Sequence, residues 1–136
     1  MKTLTLASCL ALIFPAVGLA DGYPAVPLYT GNQTVIGEEI SYPSAGPAAV
    51  TAAIVTLAPG EKTIVHKHGV PLFIYILEGE VTVTYTGHGK RTYHAGDSFL
   101  EAMDAEHVGH NTGDTPVRIL AVYMGAEGSR DVIPKE

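Results

Sequence analysis

Apolar and polar positions alternate over short runs along most of this chain. Val81, Val83 and Tyr85 interleave with Thr82, Thr84 and Thr86. A period of two places one set on a buried face and the other on a wet face, as in a β-strand. Runs rich in Val, Ile, Thr and Tyr recur, separated by Gly, Pro and Asp. They predict strands over 34–41, 48–57, 63–68, 72–77, 80–86, 90–94, 97–101, 106–110 and 117–124. Pro59-Gly60, Gly87-His88-Gly89, Ala95-Gly96-Asp97 and Gly113-Asp114 supply the turns between them. No run carries a sustained apolar i, i+3, i+4, i+7 pattern between caps, so no long helix is expected. Val70 to Leu77 is apolar throughout, which implies a strand covered on both faces. A lone small barrel would wet its outer face. A second layer or a partner subunit, hence a homodimer, is therefore expected over this strand.

The start of the chain has a different pattern. Met1-Lys2 precedes an apolar stretch from Leu4 to Val17, and Gly18-Leu19-Ala20 offers small residues before Asp21. This is the layout of a secretory signal peptide over 1–20. An N-terminal anchor is the alternative, although the apolar run is short for a bilayer span of about 20 residues. The only cysteine, Cys9, lies within this stretch. Leu6-Ala7-Ser8-Cys9 resembles a lipidation box but comes too early to follow a full hydrophobic region. Cleavage would leave an exported protein, periplasmic or secreted, without cysteine and without a membrane segment. Residues 21–47 then read as an N-terminal arm and first strand, 48–124 as a barrel and 125–136 as a C-terminal tail.

The chain has 136 residues, room for one domain, and a formal net charge of −6. Loss of Lys2 with the leader would make it more acidic. No block of Lys and Arg is present, which argues against nucleic-acid binding and against an anionic membrane surface.

Six histidines stand at 66, 68, 88, 94, 107 and 110. On a strand His66 and His68 share a face, with Lys67 on the other. Two inward imidazoles make half of a chelate for a transition metal. A third ligand must come from another strand, and His107 and His110 are the candidates. Glu101, six residues before His107, is unusual in the apolar run Ser-Phe-Leu-Glu-Ala-Met. It could be a fourth ligand, a partner for an imidazole N–H, a general base, or a solvated strand end. His88, His94 and His110 read as surface or structural residues. Tyr75, Tyr85 and Tyr123 read as barrel wall.

The spacing around the histidines resembles the cupin family. Gly60 is followed after five residues by His66-Lys67-His68, then after three by Leu72 and after six more by Gly79. Gly96 is followed after five by Ala102-Met103-Asp104, after two by His107 and after three by Asn111. These are the two cupin motifs, in order and in register, with three departures. Leu72 stands where the family has a glutamate ligand, and Ala102 and Asp104 replace the Pro and Gly of the second motif.

The resemblance implies an all-β fold, a double-stranded β-helix or jelly-roll barrel. It also implies one divalent transition metal on His66, His68 and His107. Fe or Mn are the ions expected first, with Ni, Cu or Zn as alternatives. Without the glutamate the ligands are all neutral, leaving the ion more Lewis acidic and a coordination position open. The activity implied is a metal-dependent oxidoreductase of the dioxygenase kind. It would act on a small organic molecule in a pocket walled by Ile64, Leu72, Ile74 and Leu100, with Glu101 as catalytic group. The alternative is a non-catalytic barrel that binds a small molecule or sugar, or handles metal. Since metal binding needs neutral imidazoles, occupancy is expected to fall below pH of about 6.5.

Overall fold

A computed structural model describes residues 23–136; the expected leader, with Cys9 and the cut after Ala20, lies outside the described residues. Nine strands follow one another: β1 (Ala48–Leu57), β2 (His66–Lys67), β3 (Leu72–Glu78), β4 (Glu80–Tyr85), β5 (Gly89–His94), β6 (Ser98–Leu100), β7 (His107–His110), β8 (Val117–Ala126) and β9 (Ile133–Pro134). They form two antiparallel sheets, one ordered β1-β8-β3-β6 and the other β5-β4-β7-β2-β9. The all-β jelly-roll expected from the sequence is the fold observed, with no helix among the described residues.

The alternation in β4 places Val81, Val83 and Tyr85 in the core, facing Leu57, Ile74, Ile76, Phe99 and Ile119 of the opposite sheet. Thr82 on the wet face joins a hydroxyl ladder with Thr92 and Thr112, each at 2.8 Å. Gly79 ends β3 at φ +74°, and a Cβ there would lie 2.6 Å from the Pro116 carbonyl oxygen. Conformation and space both require glycine at that corner.

Three expectations need correction. The run 34–41 is not a strand. Gly37, at φ +89°, turns the chain back so that Thr34 N–H donates to Glu38 O and Ile40 N–H to Asn32 O. Only a single bridge, Gln33 with Glu39, remains of the expected pairing. The run 63–68 contributes only His66 and Lys67 to a sheet; before them Lys62 makes an isolated bridge with His110, and Thr63 N–H donates to Gly109 O. Residues 125–136 are more than a tail. β8 continues to Ala126, and β9 pairs with β2 beside the histidines.

The outer face of the four-stranded sheet is apolar, as the unbroken run in β3 suggested. Phe73 and Tyr75 of β3 stand beside Val122 and Leu120 of β8, which stand beside Ala52 and Ile54 of β1. The N-terminal arm covers one side of this face. The Tyr29 ring lies 6.2 Å from that of Phe73, and Leu28 O accepts the Ser98 hydroxyl at 2.5 Å. On β1, Val50 and Ile54 stay 67% and 49% exposed.

Candidate functional site

The second sheet brings two distant segments together. β2 pairs with β7 so that His66 lies directly opposite His107. His68, two residues beyond His66, turns to the same point. The coordinating atoms of the three rings lie within 4.8 Å of one another, and the Nε2 atoms of His68 and His107 are 3.2 Å apart. His68 and His107 are buried and His66 is half-buried.

Each ring has its other nitrogen fixed. Nδ1–H of His66 donates to Ile64 O at 2.8 Å, that of His68 to Asp131 O at 2.9 Å, and that of His107 to Ala105 O at 2.9 Å. A carbonyl can only accept, so Nδ1 carries the proton in all three rings. In the neutral rings every Nε2 therefore offers a lone pair toward the shared point. Such lone pairs repel one another unless a cation sits among them. An ion with metal–nitrogen bonds of about 2.0–2.1 Å would hold its ligand nitrogens roughly 3.0–3.5 Å apart, the spacing that His68 and His107 already have, so these nitrogen donors suit a transition metal.

Burial disfavours the charged form of each imidazole. His68 is driven down to about 3, chiefly by burial and further by the neighbouring His107 and His66. His66 and His107 are lowered for the same first reason. The rings stay neutral at more acidic pH than free histidine, which moves the expected loss of metal below the pH of about 6.5 anticipated from the unperturbed side chain.

Glu101 is not a solvated strand end. It is 6% exposed and lines the same cavity as the three histidines. Among the described residues the group able to share one ion contains the three histidines and not Glu101. Its Oε1 accepts the Ala102 N–H at 2.8 Å. Burial pushes its carboxyl up to about 7, with the Ala102 amide, the Tyr85 hydroxyl and His66 pulling partly back. The Tyr85 hydroxyl in turn lies 3.2 Å from that of Tyr93.

The cavity encloses about 230 Å³. Ile64, Leu72 and Ile74 wall it as expected, but Leu100 does not. In β6 it is Phe99 that shares the inward parity of Glu101, whereas Leu100 faces the arm and its carbonyl accepts the Val35 N–H. Leu72, in the position of the family's glutamate, presents an apolar side chain to the cavity. Tyr123 lines it too, its ring 5.7 Å from that of His68. His88 and His94 are exposed, and His94 meets Glu80 and Asp97 at the surface. His110 falls outside the triad.

Two contributors were not readable from spacing. Glu38, in the arm, accepts the N–H groups of Met103 and Asp104 at 2.9 Å each, holding the turn that leads into His107. Burial alone would raise its carboxyl, but those amides, with Ala105 and the Thr34 hydroxyl, outweigh it and hold it below the usual range. The Asp131 carbonyl, in the C-terminal segment, orients His68. Asn111, the last residue of the second motif, is fully buried and structural. Its Nδ2 donates to Leu57 O and Thr115 O, and its Oδ1 accepts the Gly113 N–H.

Among solved structures, an oxalate decarboxylase from Lactobacillus farciminis in complex with formate is 28% identical, with a TM-score of 0.53 over 62% of this chain and 26% of that one. A sugar phosphate isomerase of the cupin superfamily from Silicibacter pomeroyi is 26% identical, with a TM-score of 0.50 over 55% of this chain and 50% of that one. A polyketide cyclase from Streptomyces resistomycificus, 18% identical, shares the fold with a TM-score of 0.56 over 74% of this chain and 69% of that one. The chain thus spans about a quarter of the oxalate decarboxylase and half of the isomerase. No curated protein matches it. The family model for the cupin domain matches residues 53–123, more than half of the sequence. With the motif histidines brought into one cluster by the pairing of β2 with β7 in a jelly-roll, this chain belongs to the cupin family.

Proposed function

We propose that this protein is a metal-dependent enzyme, an oxidoreductase of the dioxygenase kind, acting on a small organic molecule. The observation that carries the reading is the alignment of three Nε2 lone pairs, each fixed by an Nδ1–H bond to a backbone carbonyl. His66, His68 and His107 would hold one divalent ion, Fe or Mn first, with Ni, Cu or Zn as alternatives. When bound, that ion supplies Lewis acidity and, if redox-active, electron transfer to dioxygen. The apolar walls exclude water and orient the substrate. Glu101, whose carboxyl burial pushes up to about 7, takes a proton from the bound molecule or returns one. Export, periplasmic or beyond, is part of the proposal and rests on the leader pattern of residues 1–20.

Elemental analysis of protein purified without an affinity tag tests this reading. A redox-active metal near one per chain, with oxygen uptake on adding a substrate from a panel of small acids, phenols and thiols, supports it. Leu72 in place of a carboxylate favours a second reading, a barrel that binds small molecules or handles metal without turnover. Stoichiometric metal with no turnover across the panel would decide for that second reading.

A further inference from the structure

The lining of the cavity restricts what can occupy it. Among the described residues no lysine or arginine lines it. A phosphate or a second carboxylate is held in proteins by such cations, through charge-assisted hydrogen bonds. Here an anionic group beyond the metal-binding end would meet aliphatic side chains or the Glu101 carboxyl. Burying an unpaired charge against them is strongly unfavourable, because the water that solvated it is lost and nothing replaces it.

The neutral hydrogen-bonding groups are also few. Thr63 is already engaged, since its hydroxyl accepts the Gly109 N–H and donates to Ile64 O, each at 3.0 Å. The three imidazoles have their Nδ1–H groups on carbonyls. Among the described residues Glu101 and Tyr123 are the side chains left to meet a ligand's polar atoms. A polyol would bury several hydroxyls without partners, and each would lose its hydrogen bonds to water uncompensated. Apolar side chains from both sheets, among them Leu57, Ile74 and Phe99 of one and Val81 and Val83 of the other, make up the rest of the wall. The volume lies below the usual range for drug-sized ligands, roughly 300–1,000 Å³.

We infer that the cavity takes a small, largely apolar molecule carrying one weakly acidic ligating head, of the phenol or enol class, and rejects phosphorylated sugars and dicarboxylates. The head would sit at the Nε2 cluster, with Glu101 beside it as proton acceptor and the apolar body against the walls. The choice of a ligating head rests on the metal reading above; the choice of an apolar body rests on the cavity alone.

The test uses the full-length folded protein, metal-free and loaded with one equivalent of Co²⁺, whose visible absorption reports the ion's surroundings. Phenol, glucose 6-phosphate and oxalate are the probes, and melting temperature and the cobalt spectrum are the readouts. Phenol is expected to raise the melting temperature and to change the cobalt bands, binding at least about tenfold more tightly than either anion. Glucose 6-phosphate or oxalate binding as tightly as phenol, with cobalt retained after desalting, would overturn the inference and leave the metal reading standing. Absence of cobalt bands while phenol still stabilises the protein would remove the metal reading, and with it the ligating head, but keep the apolar selectivity. No response to phenol in either form would also overturn it.

Discussion

At the scale of single residues, the two kinds of buried titratable group predict different behaviour. His66→Ala and His107→Ala should each weaken metal binding by more than about 100-fold, beyond the loss seen when only a ligand's hydrogen-bond partner is removed. Each should also abolish the stabilisation metal gives the folded chain, about 2.7 kcal/mol at a hundred times the dissociation constant. His88→Ala, in an exposed hairpin, should change neither. Metal titration and thermal melts check this, and equal losses in all three variants would contradict the assignment. Glu101 is tested by pH in metal-free protein. Its folded carboxyl is raised from 4.5 to about 7 by burial, so the folded state holds a proton that the unfolded chain releases earlier. The stability this gives is complete below pH of about 4.5 and is lost as pH climbs to about 7, by about 3 kcal/mol. Glu101→Gln should lack that slope. Denaturant melts of both proteins at pH 4.5 and 7.5 measure it, and parallel curves would mean that Glu101 titrates as an ordinary surface carboxyl.

At the scale of elements, the site depends on segments that its own motifs do not contain. Gly69 shows the dependence, since a Cβ there would lie 2.5 Å from the Arg130 carbonyl oxygen. This close approach sets the C-terminal segment against β2, one residue before the Asp131 carbonyl that orients His68. Gly69→Ala should push that segment away, cost about 1–3 kcal/mol and weaken metal binding by about 10-fold or more. Chemical denaturation and metal titration read the two effects, and a variant with unchanged metal affinity would show that His68 needs no such support. The same case explains how far the sequence could be read. His66, His68 and His107 were legible because strand parity and motif spacing are local rules, and both survive folding. The inward turn of Glu101 is harder to read, because it stands one residue past the end of β6; the parity of that strand places Phe99 inward and Leu100 outward. Glu38 and Asp131 were not legible. Each acts over a long chain separation, Glu38 on Met103 and Asp131 on His68, and nothing in the residue types announces the partner. The strand expected over 34–41 failed because Gly37 reverses the chain inside an apparently alternating run.

At the scale of the molecule, the apolar outer face of the four-stranded sheet bears on assembly. We propose that β1 pairs with β1 of a second copy about a two-fold axis. Among the described residues β1 is an edge strand, ten residues long, Ala48–Leu57, and it contains no charge and no proline. Natural edge strands are usually blunted by such residues, because an open row of backbone groups invites another strand. Its partner must tolerate a chain of net charge −6, and two like-charged copies can meet closely only where neither carries charge. An antiparallel β1 pair meets that condition along its whole length, and its four alanines leave room for close approach. The pairing would join the two outer faces across Val50 and Ile54, continuing the surface that each arm already covers at Tyr29 and Phe73. An isologous contact of this kind closes on itself and gives a dimer, not a fibre. Light scattering at tens of micromolar should therefore give twice the chain mass. Ile54→Lys, which sets like charges near each other across the axis, should halve that mass while leaving metal binding intact. A monomer for the unaltered chain would rule the pairing out, and so would a dimer that Ile54→Lys leaves undisturbed.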